Sequence, residues 1–191
     1  VKIEHVGILA IQGDVEAHRR ILEGLGVRVS DVLSKRDLKA VDALVIPGGE
    51  STTIAKGIDR LGLHKALKKR IAEGMPVLGT CAGAILLARQ VENHPVPVLG
   101  AMHVTAVRNA YGTQVDSFAA PVDDDVMPGL EDLRCVFIRA PQLIDPGPGV
   151  EVLARVDGKA VLMREKNVMA ATFHPELTAD TRVHALFLGM N

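Results

Sequence analysis

The chain has 191 residues, 48% of them hydrophobic and 24% charged, which is enough apolar material for a core without disulfide or metal staples. Its 22 Lys and Arg against 23 Asp and Glu leave a net charge of −1, with no basic excess to neutralise phosphates. No Trp, one Tyr and four Phe offer few rings for bases to stack on, so composition argues against a nucleic-acid binder.

Residues 1–191 are read as a single domain. Two cysteines, Cys81 and Cys135, cannot build a disulfide framework or a four-sulfur zinc site, and they point to a reducing compartment. Glu4 interrupts the N-terminal stretch and no A-x-A site follows, so no secretory signal is expected. The uncharged run 74–88 is shorter than the ~18 apolar residues a membrane span needs. A cytoplasmic chain with no membrane contact is expected.

In chain order, residues 6–11 form a short apolar run suited to a buried parallel strand. Asp14 caps a helix to about Leu25, with Ala17, Ile21, Leu22 and Leu25 on one face and Gly26 as the stop. Strands are predicted at 27–33, 43–46 and 77–79, helices from near Ser51 and over 64–73, and a further helix over 82–90. The second half changes character. Strands are predicted at 101–108, 115–122, 133–140, 150–156, 160–164 and 168–173, before a closing helix at 181–189. The pattern is α/β: a three-layer, mainly parallel open sheet with flanking helices and a β-rich second half.

The strongest local signal is Gly79-Thr80-Cys81-Ala82-Gly83, between a predicted strand and a predicted helix. It has the G-x-nucleophile-x-G pattern of a nucleophile elbow, with Cys for Ser. Small neighbours are needed there because the turn crowds the chain. The elbow would present Cys81 at the C-terminal edge of the sheet, where a helix N-terminus favours the thiolate, and the N–H of Ala82 is the first candidate oxyanion donor. Cys135 has no such neighbours and is expected to pack in the core.

A thiol nucleophile usually works with a histidine. Of the seven histidines, His174 stands out: it follows a strand and precedes Pro175-Glu176. Pro175 biases His174 to an extended conformation, and in an extended chain residues i and i+2 face one way, so Glu176 can orient the His174 ring. His18, His64 and His184 fall within helices and are read as exposed or satisfied side chains. Pro47-Gly48-Gly49-Glu50-Ser51-Thr52-Thr53 after the third strand lets the backbone approach a ligand, and Gly49 is a candidate second oxyanion donor. No H-E-x-x-H, C-x-x-C or G-x-x-x-x-G-K-[ST] spacing occurs, and neither metal nor cofactor is expected.

A cysteine elbow, a Pro-Gly-Gly loop and a C-terminal His-Pro-Glu, in that order, resemble the class I (triad) glutamine amidotransferases, which have a flavodoxin-like fold. More narrowly they resemble the glutaminase subunits of pyridoxal 5′-phosphate synthase. Gly48-Gly49-Glu50-Ser51-Thr52-Thr53 and Gln114-Val115-Asp116-Ser117-Phe118 carry that narrower likeness, with matching stretches at 7–14, 108–112, 137–141 and 173–178. The resemblance implies that Cys81 attacks the side-chain amide of L-glutamine, that His174 shuttles protons and that Glu176 orients it. It places Gly49, Glu50, Ser51, Arg108, Ile138 and Arg139 along the bound glutamine. It also implies a synthase subunit as partner in a hetero-oligomer. That subunit uses the ammonia to make pyridoxal 5′-phosphate from ribose 5-phosphate and glyceraldehyde 3-phosphate. Thr113 departs from the Arg common in relatives at that position. The same triad and length also suit a glutaminase feeding another acceptor synthase, such as that of imidazole glycerol phosphate, which lacks the two longer motifs.

Overall fold

The computed structural model describes residues 2–110 and 117–190. Thr113 and the Gln114-Val115-Asp116 part of the second motif lie outside the described residues, as does the start of the strand predicted at 115–122.

The first half alternates strand and helix as its apolar runs demand: β1 His5–Leu9, α1 Val15–Gly24, β2 Arg28–Val32, α2 Lys35–Lys39, β3 Ala43–Ile46, α3 Ser51–Arg60, α4 His64–Ala72, β4 Val77–Thr80 and α5 Ala82–Leu87. The boundaries follow local chemistry. The Asp14 carboxylate accepts from Ala17 N at 3.3 Å, and Gly26 follows the helix with φ 86°. Ser34 Oγ accepts from Asp37 N and starts α2, a helix the periodicity did not announce because it is little more than one turn.

The second half comprises β5 Ala88–Glu92, β6 Met102–Val107, β7 Ser117–Pro121, β8 Arg134–Ile138, β9 Gln142–Ile144, β10 Glu151–Val156, β11 Lys159–Glu165, β12 Val168–Ala171, a 3-10 turn at Pro175–Leu177 and α6 Arg182–Leu188. The helix predicted over 82–90 therefore stops at Leu87. The carbonyls of Leu86 and Leu87 accept from Leu99 N and Ala101 N, and the chain leaves as β5 to pair with β6. Ala, Arg and Gln are good helix formers, but this sheet pairing overrides their propensity.

Among the described residues the main sheet has seven strands in the order β10-β11-β12-β4-β3-β1-β2. The five strands from β12 to β2 run parallel, while β11 and β10 extend the sheet antiparallel. The run β2-β1-β3-β4-β12 has the flavodoxin-like order 2-1-3-4-5. The β-rich half is thus divided: β10–β12 join the main sheet, β5-β6-β9 form a second sheet and β7-β8 a ribbon.

Alternation along the buried strands splits the core in two. Leu44 and Ile46 of β3 face a cluster with Ile54 and Ile58 of α3, Leu67 and Ile71 of α4 and Leu86 of α5. Ala43 and Val45 face the other cluster, with Leu22 of α1, Val183 and Phe187 of α6, and Phe137 and Phe173. Helices thus cover both faces, giving the expected three layers.

α5 starts hard against β3. A Cβ on Gly83 would lie 2.0 Å from the Ile46 carbonyl oxygen, and one on Gly79 would lie 2.6 Å from that of Gly83. Gly24, in α1, meets nothing within 4 Å. Gly83→Ala is expected to lower stability by roughly 3 kcal/mol or more through overpacking, whereas Gly24→Ala should raise it by roughly 0.5–1 kcal/mol. Urea unfolding of the two variants compares them, and equal midpoints would contradict the close approach.

Candidate active site

The C-terminal ends of four adjacent parallel strands deliver the candidate residues to one edge: Gln12-Gly13 after β1, Pro47-Gly48-Gly49 after β3, Cys81 after β4 and His174 after β12. In doubly wound sheets this edge is where ligands bind. Cys81 has φ 51° and ψ −107°, a conformation residues other than glycine seldom adopt, and its N–H donates to the Ala171 carbonyl at 2.8 Å. The elbow read from the sequence is therefore present, and its sulfur is nearly enclosed, with Cys81 6% exposed.

His174 is anchored by its own N–H, which donates to Val136 O of β8 at 2.8 Å. Its Nδ1 lies 2.6 Å from Glu176 Oε1, as the i, i+2 spacing predicted, and Glu176 is buried. Burial opposes a charge on His174. Hydrogen bonds to Cys81 and Glu176, and the charges of both, outweigh it and raise the pKa from 6.5 to about 10. Nδ1–H to Oε1 leaves Nε2 for the Cys81 sulfur, the arrangement a thiol nucleophile with an oriented base requires. Cys81 Sγ also lies 3.7 Å from Ile138 O, so β8 borders both groups.

The Pro-Gly-Gly loop seals this pair. A Cβ on Gly48 would fall 2.6 Å from His174 Cε1 and 3.2 Å from Cys81 Cβ. Gly49 has φ 146°, and Gly13 packs so closely beneath the loop that a Cβ would lie 1.8 Å from Gly48 O. Gln12 Oε1 accepts from Glu50 N at 2.7 Å, a tie the sequence did not reveal. The Glu50 carboxylate accepts from Thr52 N and Thr53 N and so caps α3.

Other candidates are placed less uniformly. Arg108 reaches the loop: its Nη2 donates to Glu50 Oε1 at 3.2 Å and to Thr52 Oγ1 at 3.4 Å, and its Nη1 to His94 O. Ser51 is buried in the first turn of α3, 3% exposed. Ile138 is 39% exposed, beside Arg139, whose backbone is left-handed with φ 45°. Ala82 opens α5, where the first-turn N–H groups have no partner within the helix. Cys135 is fully buried in the core as expected, and burial first, then Asp180, pushes its thiol up to about 12.

The model of the SNO glutamine amidotransferase family matches residues 8–191. This chain belongs to that family. The relative named pyridoxal 5′-phosphate synthase subunit PdxT from Thermosipho africanus is 48% identical over 186 residues, covering 97% of each chain. The protein of the same name from Koribacter versatilis is 49% identical over 185 residues, covering 97% of this chain and 94% of its own length. A crystal structure described as a glutamine amidotransferase superposes with a TM-score of 0.90 at 44% identity, covering 97% of both chains. The structure of PurLQS from Thermotoga maritima shares the fold, with a TM-score of 0.70 at 15% identity over 99% of both chains.

Two further histidines of this amidotransferase take the satisfied rather than the exposed alternative. His18 of α1 and His184 of α6, read as ordinary helix side chains, are both fully buried. Burial pushes His184 down to about 4. Burial, then the charges of His184 and His174, holds His18 well below its usual value. Folding should therefore couple to pH in two senses. The raised His174 stabilises fully below its ordinary 6.5, and that contribution is lost as pH rises through about 10. The depressed His184 stabilises above its ordinary 6.5, and that contribution is lost as pH falls through about 4. The acid arm from His184 is worth on the order of 3 kcal/mol. Denaturant midpoints should peak near pH 6.5, with His174→Ala flattening the alkaline arm and His184→Leu making the acid one shallower, since His18 also contributes to it. Midpoints that do not vary with pH would contradict both assignments.

Among the described residues no helix is long and apolar enough to cross a membrane.

Proposed function

We propose that Cys81, His174 and Glu176 hydrolyse L-glutamine to L-glutamate and ammonia, and that the ammonia feeds a synthase subunit making pyridoxal 5′-phosphate. The observation that carries this reading is the convergence of the Cys81 elbow, the Glu176-oriented His174 ring and the Gly48–Gly49 turn at one sheet edge.

Cys81 Sγ attacks the side-chain amide carbon of glutamine. The developing oxyanion takes the N–H groups of Ala82 and Gly49. His174 gives its proton to the amide nitrogen, ammonia leaves and a γ-glutamyl thioester remains on Cys81. Water then attacks the thioester, His174 takes its proton, and glutamate departs with the thiolate restored. Glu176 holds the imidazole in one tautomer and stabilises its cation throughout.

The amino-acid end of glutamine is assigned to the mouth of the site. Glu50 and Arg108, a 3.2 Å ion pair there, offer charges complementary to the α-ammonium and α-carboxylate. Ser51, Ile138 and Arg139 complete the candidate binding set.

Relatives named as subunits of pyridoxal 5′-phosphate synthase favour this acceptor over imidazole glycerol phosphate synthesis. Residues 1–191 act in this reading as one glutaminase domain of a cytoplasmic hetero-oligomer. Excluding water along the ammonia path keeps ammonia unprotonated and nucleophilic.

Glutamate release by the chain with and without the synthase subunit tests the assignment. Release should rise on adding the synthase. Cys81→Ala should lower it by more than roughly a thousandfold, while ammonium salts still support pyridoxal 5′-phosphate formation by the variant complex. Glutamine use that survives in Cys81→Ala would remove the nucleophile from the account.

A further inference from the structure

Behind Glu176, on the side away from His174, lies a pair of polar rings that the triad chemistry does not use. His18 Nδ1 of α1 is 2.9 Å from His184 Nε2 of α6, with ring centroids 5.1 Å apart. His18 Nε2 is 3.6 Å from Glu176 Oε2 and 3.4 Å from Oγ1 of Thr80, the residue before the nucleophile. All four residues are buried. Among the described residues Glu176 Oε2 and His184 Nδ1 have no hydrogen-bond partner. Among the described residues no group of three or more His, Cys, Asp or Glu could hold a metal ion, so the cluster reads as protein-only.

The proton positions follow from what faces what. At 3.6 Å, His18 Nε2 and Glu176 Oε2 make a charge–dipole contact rather than a formed hydrogen bond. A bare nitrogen there would set a lone pair against a carboxylate oxygen and leave a buried N–H stranded on His184 Nδ1. With the proton on His18 Nε2, the N–H donates to Thr80 Oγ1 at 3.4 Å and presents its positive end to Glu176 Oε2 3.6 Å away. His18 Nδ1 then accepts from His184 Nε2, and the atom left without a partner is a bare nitrogen. An orphaned acceptor is tolerated inside proteins more often than an orphaned donor. This tautomer arrangement strands no donor in the row, and it has both rings neutral.

We propose that His18 and His184 are positioning residues for the glutaminase reaction: His184 fixes the tautomer of His18, and His18 aims its Nε2–H at Glu176 Oε2, holding the carboxylate with Oε1 on His174. This rests on the triad reading above. Neutrality matters to the device. A cation behind Glu176 would draw off the field that favours protonated His174, whereas a neutral N–H orients the carboxylate and leaves its charge directed at the imidazole. Depression of both histidines by burial agrees with this. The titratable groups facing His18 are Glu176 from the 3-10 turn, His184 from α6 and His174 after β12.

The test is glutamine hydrolysis across pH by the complex with its synthase, for His18→Leu, His18→Gln, His184→Leu and Glu176→Gln. His18→Leu should lower kcat roughly tenfold or more with little change in KM, and move the alkaline limb to lower pH as His174 loses an oriented carboxylate. His18→Gln, whose amide N–H can reach the same oxygen, should recover most of the rate. His184→Leu should fall between them. Wild-type rate and pH profile in a folded His18→Leu would overturn the relay, as would His18→Gln as slow as His18→Leu. Glu176→Gln separates the two claims: if it stays active the triad reading fails, whereas its loss beside an active His18→Leu removes only the relay. Should His18→Leu not fold, nitrogen NMR of the wild-type imidazoles decides. Protons on Nε2 of both His18 and His184 support the relay, and a proton on Nδ1 of His18 overturns it.

Discussion

Cys81 sits at φ 51° between the end of β4 and the start of α5, and the placement of every other group at the site depends on that turn. The conformation is unfavourable for a side-chain-bearing residue and persists because its surroundings leave no alternative. Cys81 N is tied to Ala171 O of β12, and Gly79 and Gly83 let β4, β3 and α5 approach to backbone contact. The same parallel register, Thr80 opposite Ala171, brings the chain beyond β12 to the sulfur. His174 therefore arrives beside Cys81 by strand pairing, and the bond from His174 N to Val136 O holds it there. A helix beginning directly after Cys81 also leaves first-turn N–H groups without helical partners beside it.

Electrostatics at the site separates an exposed mouth from a dry interior. At the mouth Glu50 caps α3 and pairs with Arg108. Inside, Cys81, His174 and Glu176 lie in one row, with neutral His18 and His184 behind. The net effect favours a protonated His174, the form that can deliver a proton to departing ammonia. The glycine loop lies close against the pair, with Gly48 leaving no room for a side chain beside His174 and Cys81.

Much of this was legible in the sequence because the informative features are local. The Cys81 elbow needs small residues within two positions, and His174-Pro175-Glu176 needs only the geometry of an extended chain. Parallel strands announced themselves as apolar runs, and Asp14 and Gly26 marked helix ends. What was missed depends on tertiary contact. Residues 88–90 have helical propensity, yet the chain turns to pair with β6. β9 is three residues long and exists through its partner. Arg108 reveals its engagement with Glu50 only once the end of β6 is brought to the start of α3. His18 and His184 looked like helix side chains whose faces were unassigned, although His18 lies four residues before Leu22 on the apolar stripe. That spacing was the available signal that it faces inward. Their meeting, across 166 positions, is a product of packing alone.

The central claim is that Cys81 is the nucleophile toward glutamine, and a glutamine-mimic electrophile addresses it directly. With the chain and its synthase partner present, peptide mass spectrometry after labelling should find one adduct, on the peptide carrying Cys81. L-glutamine should slow its formation, and the peptide carrying Cys135 should stay unlabelled. An adduct on Cys135, or no adduct on Cys81 in the active complex, would contradict the account.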